Sequence, residues 1–159
     1  MIILETEFLG VPLHIPDTNG DPYKTQLILN RTPSQTTKIN WWHKADNNRG
    51  DVNLPHNHPW PFRSKILQGG YTEDVYWLVD GVVYKETYTY KEGDINICPL
   101  HIFHMVVDIK PNTISMMICG AEVANRRWGY LDPKTGKYQD AVLDPNYLKN
   151  LKENNKFLR

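Results

Sequence analysis

"LPHNHPWPF", residues 54–62, sets His56 and His58 one residue apart among three prolines, a tryptophan and a phenylalanine. On a β-strand side chains alternate between faces, so the two imidazoles would project from one side with Asn57 turned away. They would then converge on one point. Neutral imidazole is the commonest metal ligand, so the pair reads as the start of a ligand set. A lone H-x-H is a weak motif, however, and a third ligand and a supporting frame must be found elsewhere in the chain.

The frame is β. Short runs rich in Val, Ile, Tyr, Trp and Thr are separated by Gly, Pro, Asn and Asp, the pattern of an all-β sandwich or barrel. Strands are expected at residues 26–30, 38–43, 62–68, 94–98, 103–109 and 113–119. In "DVYWLVDGVVYKETYTY" the pair Asp80-Gly81 supplies the positive φ angles of a tight hairpin between two further strands. Tyr84, Tyr88 and Tyr90 share one face of its second strand as structural residues. Only the tail reads as helix. There Asp144 can cap, Pro145 suits the first turn, and Tyr147, Leu148 and Leu151 make an apolar face.

At 159 residues the chain is long enough for one domain with a real core, expected to span 1–159. Eighteen basic residues balance eighteen acidic ones without a Lys/Arg stripe, which argues against nucleic acid or an anionic membrane as partner. The start, "MIILETEFLG", lacks the basic region, long apolar core and small-residue site of a signal peptide. With no 18-residue apolar run and only two cysteines, Cys98 and Cys119, a cytoplasmic protein is expected, both thiols serving as core residues.

The third ligand emerges from "EGDINICPLHIFHMVVDI". Gly93-Asp94 turns the chain, an alternating strand follows, Pro99 ends it, and His104 opens the next strand. The first stretch reads Gly50, five residues, His56-Asn57-His58, three residues, Phe62, six residues, Gly69. The second reads Gly93, five residues, Pro99, Leu100, His101, two residues, His104, three residues, Asp108. In these two motifs the chain resembles the cupin superfamily across about residues 38–120, leaving 121–159 as a C-terminal extension. It departs in three places: Phe62 stands where the family has a ligand Glu, His101 where it has Gly, and Asp108 where it has Asn. "HNHPWPFRSKILQGGYTE" followed by "RRWGY" also looks like a group of small cupins of no known activity.

The resemblance implies a double-stranded β-helix, or jelly-roll, barrel with a short C-terminal helix. It implies a divalent metal on His56, His58 and His104, with Fe(II) favoured and Zn, Ni or Mn also compatible. Phe62 removes the fourth ligand and its charge, leaving a neutral three-His site with open positions, as in cupin thiol dioxygenases. The expected function is accordingly a non-haem Fe(II) dioxygenase acting on a small polar molecule. A non-catalytic metabolite-binding cupin and a sugar isomerase or epimerase stand as alternatives, the latter needing a base–acid pair for which His43 with Glu73 is the one loose candidate. Cupins often pair through edge strands, so a homodimer is also implied.

Two further residues are candidate catalytic groups. Glu73, in the G-G-Y-T-E strand, stands to replace the missing carboxylate or to hold a ligand histidine from behind, against the plainer reading of a surface carboxylate. Arg127 offers a planar fork for a substrate carboxylate, against the plainer reading of a solvated rim arginine. Ser64 shares the face of Phe62 and can touch ligand or bond to backbone. His101 is read as a turn residue and His43 as packed against Trp41 and Trp42.

Overall fold

The computed structural model describes residues 9–48, 53–126, 128–141 and 147–156, with the side chains at 147, 148 and 150 excepted. Gly50, Arg127, Asp144 and Pro145 lie outside the described residues, so the reading of Arg127 as a substrate anchor and the helix cap have no structural counterpart here. The chain is built almost wholly of antiparallel strands.

Two sheets face each other. The larger has six strands in the order β1 (Leu13–Pro16), β2 (Pro22–Thr32), β3 (Gln35–Trp42), β9 (Ile114–Gly120), β4 (Phe62–Gln68) and β7 (Ile95–Cys98). The smaller has β6 (Val82–Lys91), β5 (Gly70–Val79) and β8 (Phe103–Ile109). The β5–β6 hairpin turns at Asp80 and Gly81 with φ of 49° and 78°, the left-handed pair that its sequence demands. Gly69, at φ 75°, passes the chain from one sheet to the other; a Cβ there would lie 2.5 Å from Thr113 Oγ1.

Side chains from both sheets meet in a core of Tyr23, Trp42, Ala45, Ile66, Tyr71 and Val106. A second cluster, Tyr76, Phe103 and Leu131, packs on the other face of β5 and β8, under the strand pair β10 (Gly129–Leu131) and β11 (Tyr138–Asp140). These two short strands and β1 carry too few residues to show alternation, and the sequence does not announce them. Helix α1 (Tyr147–Asn154) closes against β1 through Leu151 and Leu13. Asn155 fastens it there, accepting from His14 N at 2.8 Å and donating to His14 O at 3.0 Å. No helix among the described residues is long and apolar enough to cross a membrane.

His56 and His58 precede the strand that begins at Phe62 and are not part of a regular strand themselves. Residues 53–61 are irregular, with a bridge only at His56. The reason is covalent: Pro55, Pro59 and Pro61 have no N–H to give to a ladder.

Candidate metal centre

His56 acts as a one-residue strand. It exchanges both backbone hydrogen bonds with His104, His56 N to His104 O at 3.0 Å and His104 N to His56 O at 2.8 Å. Its other edge faces Tyr130, flanked by Leu131 N to Pro55 O at 3.0 Å and Asn57 N to Gly129 O at 3.1 Å. The segment is therefore wedged between β8 and β10. Asn57 locks the wedge, because its buried side-chain Oδ1 accepts from Gly129 N at 2.8 Å. Alternation survives in local form: Asn57 turns toward β10 while His56 and His58 turn into the barrel.

His56, His58 and His104 bring their ligand atoms within 4.8 Å of one another. The ring centroids are 4.9 Å apart for His56–His58, 4.7 Å for His56–His104 and 5.1 Å for His58–His104. His58 Nε2 and His104 Nε2 stand 2.9 Å apart. Two nitrogens each about 2.0–2.1 Å from one ion, in octahedral or tetrahedral array, are separated by about 2.9–3.4 Å. The spacing of the His58 and His104 nitrogens thus fits a shared divalent cation.

Glu73 is 1% exposed and is no surface residue. On β5 it pairs with Val106 while Val75 pairs with His104, so Glu73 and His104 are diagonal neighbours on the inner face. Its Oε1 lies 3.0 Å from His104 Nδ1, and Asn96 Nδ2 donates to its Oε2. A proton held on Nδ1 leaves the Nε2 lone pair directed at the other two rings, the arrangement that a metal-binding imidazole requires. Asn96 also donates to Tyr71 OH at 2.9 Å and accepts from Tyr90 OH at 3.2 Å. Ser64, 2% exposed, bonds with the Tyr71 phenol within the same network.

The irregularity of β8 is also tied down. A bulge falls where the register moves from Thr72–Asp108 to Glu73–Val106. Asp46, buried in the 3-10 turn Asp46–Asn48, accepts Val106 N at 2.9 Å and the Tyr23 hydroxyl. It thereby holds the strand two residues beyond His104.

The electrostatics of the three rings differ. Burial pushes the His58 imidazole well below its ordinary value, and the neighbouring His56 and His104 push the same way. Burial also works to lower His104, but the hydrogen bond and charge of Glu73 outweigh it and leave that ring above its ordinary value. Burial raises the Cys98 thiol, with the Glu73 charge adding to the effect, so Cys98 stays protonated. Cys98 and Cys119 are both free and buried.

Phe62 is 5% exposed, with its ring 5.4 Å from both His58 and His104. Together with Cys98, Cys119, Trp60, Ile102 and Met117 it forms an apolar wall beside the triad. The remaining candidates lie elsewhere. His101 is exposed in a turn. His43 is exposed, lies tilted against the Trp41 ring at 5.3 Å and contacts Thr25 Oγ1 at 2.9 Å, so it does not join Glu73 in the barrel.

Asn57, Asn96 and Asp46 escape a reading of the sequence. Asn96 had a usable signal: it shares a strand face with Cys98. Asp46 and Asn57 sit in irregular segments, where no periodicity assigns a face.

No family model and no curated protein matches the chain. Solved structures do. Oxalate decarboxylase from Bacillus subtilis superposes with a TM-score of 0.50 at 8% identity, covering 76% of this chain and 30% of that one. The DMSP lyase DddQ from Ruegeria pomeroyi DSS-3 gives 0.50 at 12% identity, covering 76% and 58%. KdgF from Halomonas sp. gives 0.47 at 20% identity, covering 65% and 84%. At such identities the likeness to the first two is one of fold, and this chain spans less than two thirds of either.

Proposed function

Starting from the cupin fold of the chain and the three histidines gathered inside it, we propose that the protein binds Fe(II) through His56, His58 and His104 and is a dioxygenase of a small polar molecule. The observation that carries this reading is Phe62. An apolar ring stands beside the triad where the superfamily places a ligand carboxylate, so the ligand set is three neutral imidazoles. A cation held by neutral ligands keeps its full charge and offers open positions to substrate and oxygen. Bound Fe(II) would supply the electrons for activating O2, both of whose atoms pass to the substrate.

The chain's own residues supply the rest. Glu73 fixes the tautomer of His104, and Asn96 fixes Glu73 in turn. The wall of Phe62, Cys98, Cys119 and Met117 keeps water from the reacting side. The isomerase reading loses its acid–base pair, since His43 faces outward and Glu73 is committed to His104.

The test is elemental analysis of the untagged protein, followed by oxygen uptake of the Fe(II)-loaded form over thiols, amino acids and small acids, with His56→Ala as blank. Substrate-dependent uptake absent from the blank is expected. Uptake that never depends on added substrate, with a metabolite bound and released unchanged, would replace the enzyme by a binding protein.

A further inference from the structure

The face of β5 and β8 that turns away from the triad carries a cleft of about 500 Å3, a volume within the range of small-molecule sites. Its walls are apolar. Leu78 from β5 and Phe103 from β8 meet Val123 from the segment that follows β9, and Tyr138 of β11 sets its ring 6.0 Å from that of Phe103. Leu78 and Val123 are 39% and 42% exposed, so the cleft leaves large apolar side chains open to water.

The segment after β9 is fixed by its backbone. Val123 N donates to Pro59 O at 2.8 Å and Arg126 N to Val123 O at 3.1 Å, while Asn125 between them takes a left-handed φ of 60° that Asn tolerates. This turn brings Arg126 into the lining of the cleft, where it is the one charged side chain among the described residues. Its Nη2 donates to Leu100 O, its Nε is buried without an acceptor, and it forms no ion pair among the described residues. A guanidinium with donors unmet and its charge uncompensated is suited to a carboxylate, which its planar fork can hold through two hydrogen bonds.

We propose that this cleft binds a small carboxylic acid with a flat apolar body, its carboxylate on Arg126 and its body among Leu78, Phe103 and Val123. The site lies outside the barrel and does not rest on the metal reading. Asn57, between two of the triad histidines, and Phe103, next to the third, both line it, so an occupant touches the two ligand segments from behind.

The experiment titrates benzoate, benzamide and acetate into the untagged protein by calorimetry at neutral pH. Benzoate should bind about tenfold or more tightly than either, since benzamide lacks the charge and acetate the apolar body. Arg126→Gln should bring benzoate down to the level of benzamide and leave benzamide itself unchanged, which damage to the fold would not do. Val123→Ser should weaken both by a similar factor and keep the preference for the acid. Dialysis against a chelator, which strips any metal from the triad, should leave benzoate binding in place. A preference for benzoate that survives Arg126→Gln would overturn the proposal, and so would one that vanishes with the chelator, because the acid would then sit on a metal. Equal binding of benzoate and benzamide by the unmutated protein, equal binding of benzoate and acetate, or binding of none of the three would overturn it without any variant.

Discussion

The two halves of the triad are held by different means. His104 is a strand residue: β5 pairs along β8, Glu73 grips its Nδ1, and Asp46 anchors the chain two residues on. His56 and His58 have no strand of their own. They hang on a proline-rich segment fixed by backbone bonds to His104 on one side and to Gly129 and Leu131 on the other. The lesson is that the strand ligand is preorganised by its sheet, whereas the loop ligands are preorganised by their neighbours' main chains. The first is sensitive to what touches its ring, the second to what holds its backbone.

The sharpest way to break the comparison is to remove the rings. His56→Ala, His58→Ala and His104→Ala should each abolish stoichiometric metal as measured by elemental analysis, since each deletes one of three protein ligands. His43→Ala, exposed and outside the barrel, should retain it. Stoichiometric metal in His104→Ala would show that the strand ligand is not one.

Next comes the support of the strand ligand. Glu73→Gln keeps an acceptor for His104 Nδ1 but removes the charge that raises that imidazole's pKa. Metal affinity at neutral pH should fall about 10–100-fold, the usual cost of losing such a partner. The pH dependence should move too. With Nδ1 already carrying a proton, a second one goes to Nε2 and blocks the metal, so uptake is lost on acidification. In Glu73→Gln that loss should occur at lower pH than in the unmutated protein, because the raising charge is gone. Competition with a colorimetric chelator across a pH series measures both effects, and an unshifted profile would show that Glu73 does not govern the ring.

A smaller effect tests the loop ligands. Asn57→Ala touches no ligand ring but removes the acceptor for Gly129 N. A stability loss of about 1–3 kcal/mol follows from leaving that buried donor unpaired. Metal affinity should weaken with it, and by less than in Glu73→Gln. Denaturant melts of the metal-free protein give the first number and chelator competition the second. Loss of stability with unchanged affinity would mean that His56 and His58 need no help from β10.

Much of this arrangement can be read in the chain before any fold is seen. The hairpin at Asp80-Gly81 and the strands at 62–68 and 103–109 agree residue for residue with their turn chemistry and periodicity. The triad is legible because two motifs fix the spacing of its ligands. What escapes has a physical cause. On β7, Ile95 and Ile97 are 57% and 73% exposed while Asn96 is buried, and on β3 Trp41 faces out while Lys38 and Asn40 face in. A barrel that holds a polar site inverts the hydrophobic alternation from which inner faces are normally inferred. Asn96 is hidden in the sequence by the very polarity that suits it to hold Glu73.

The mildest test concerns the far end of the Glu73 network. Tyr90 donates to Asn96, which in turn holds Glu73, and the phenol is pushed up to about 12, by burial first and by the Glu73 charge second. A group whose folded pKa exceeds its unfolded value contributes stability that is fully present below the unfolded value, near 10 for a phenol. That contribution is lost as pH rises from there through about 12. Thermal melts of the metal-free protein should therefore fall more steeply above about pH 10 in the unmutated chain than in Tyr90→Phe, which has no proton to lose. The two curves should run parallel at neutral pH, displaced only by the single hydrogen bond to Asn96. Since Tyr90 touches neither triad ring nor the backbone of residues 54–62, metal affinity should stay within about threefold of the unmutated value, against the 10–100-fold of Glu73→Gln. A larger loss would mean that the support of the strand ligand extends through Asn96 to the phenol and does not end at the carboxylate.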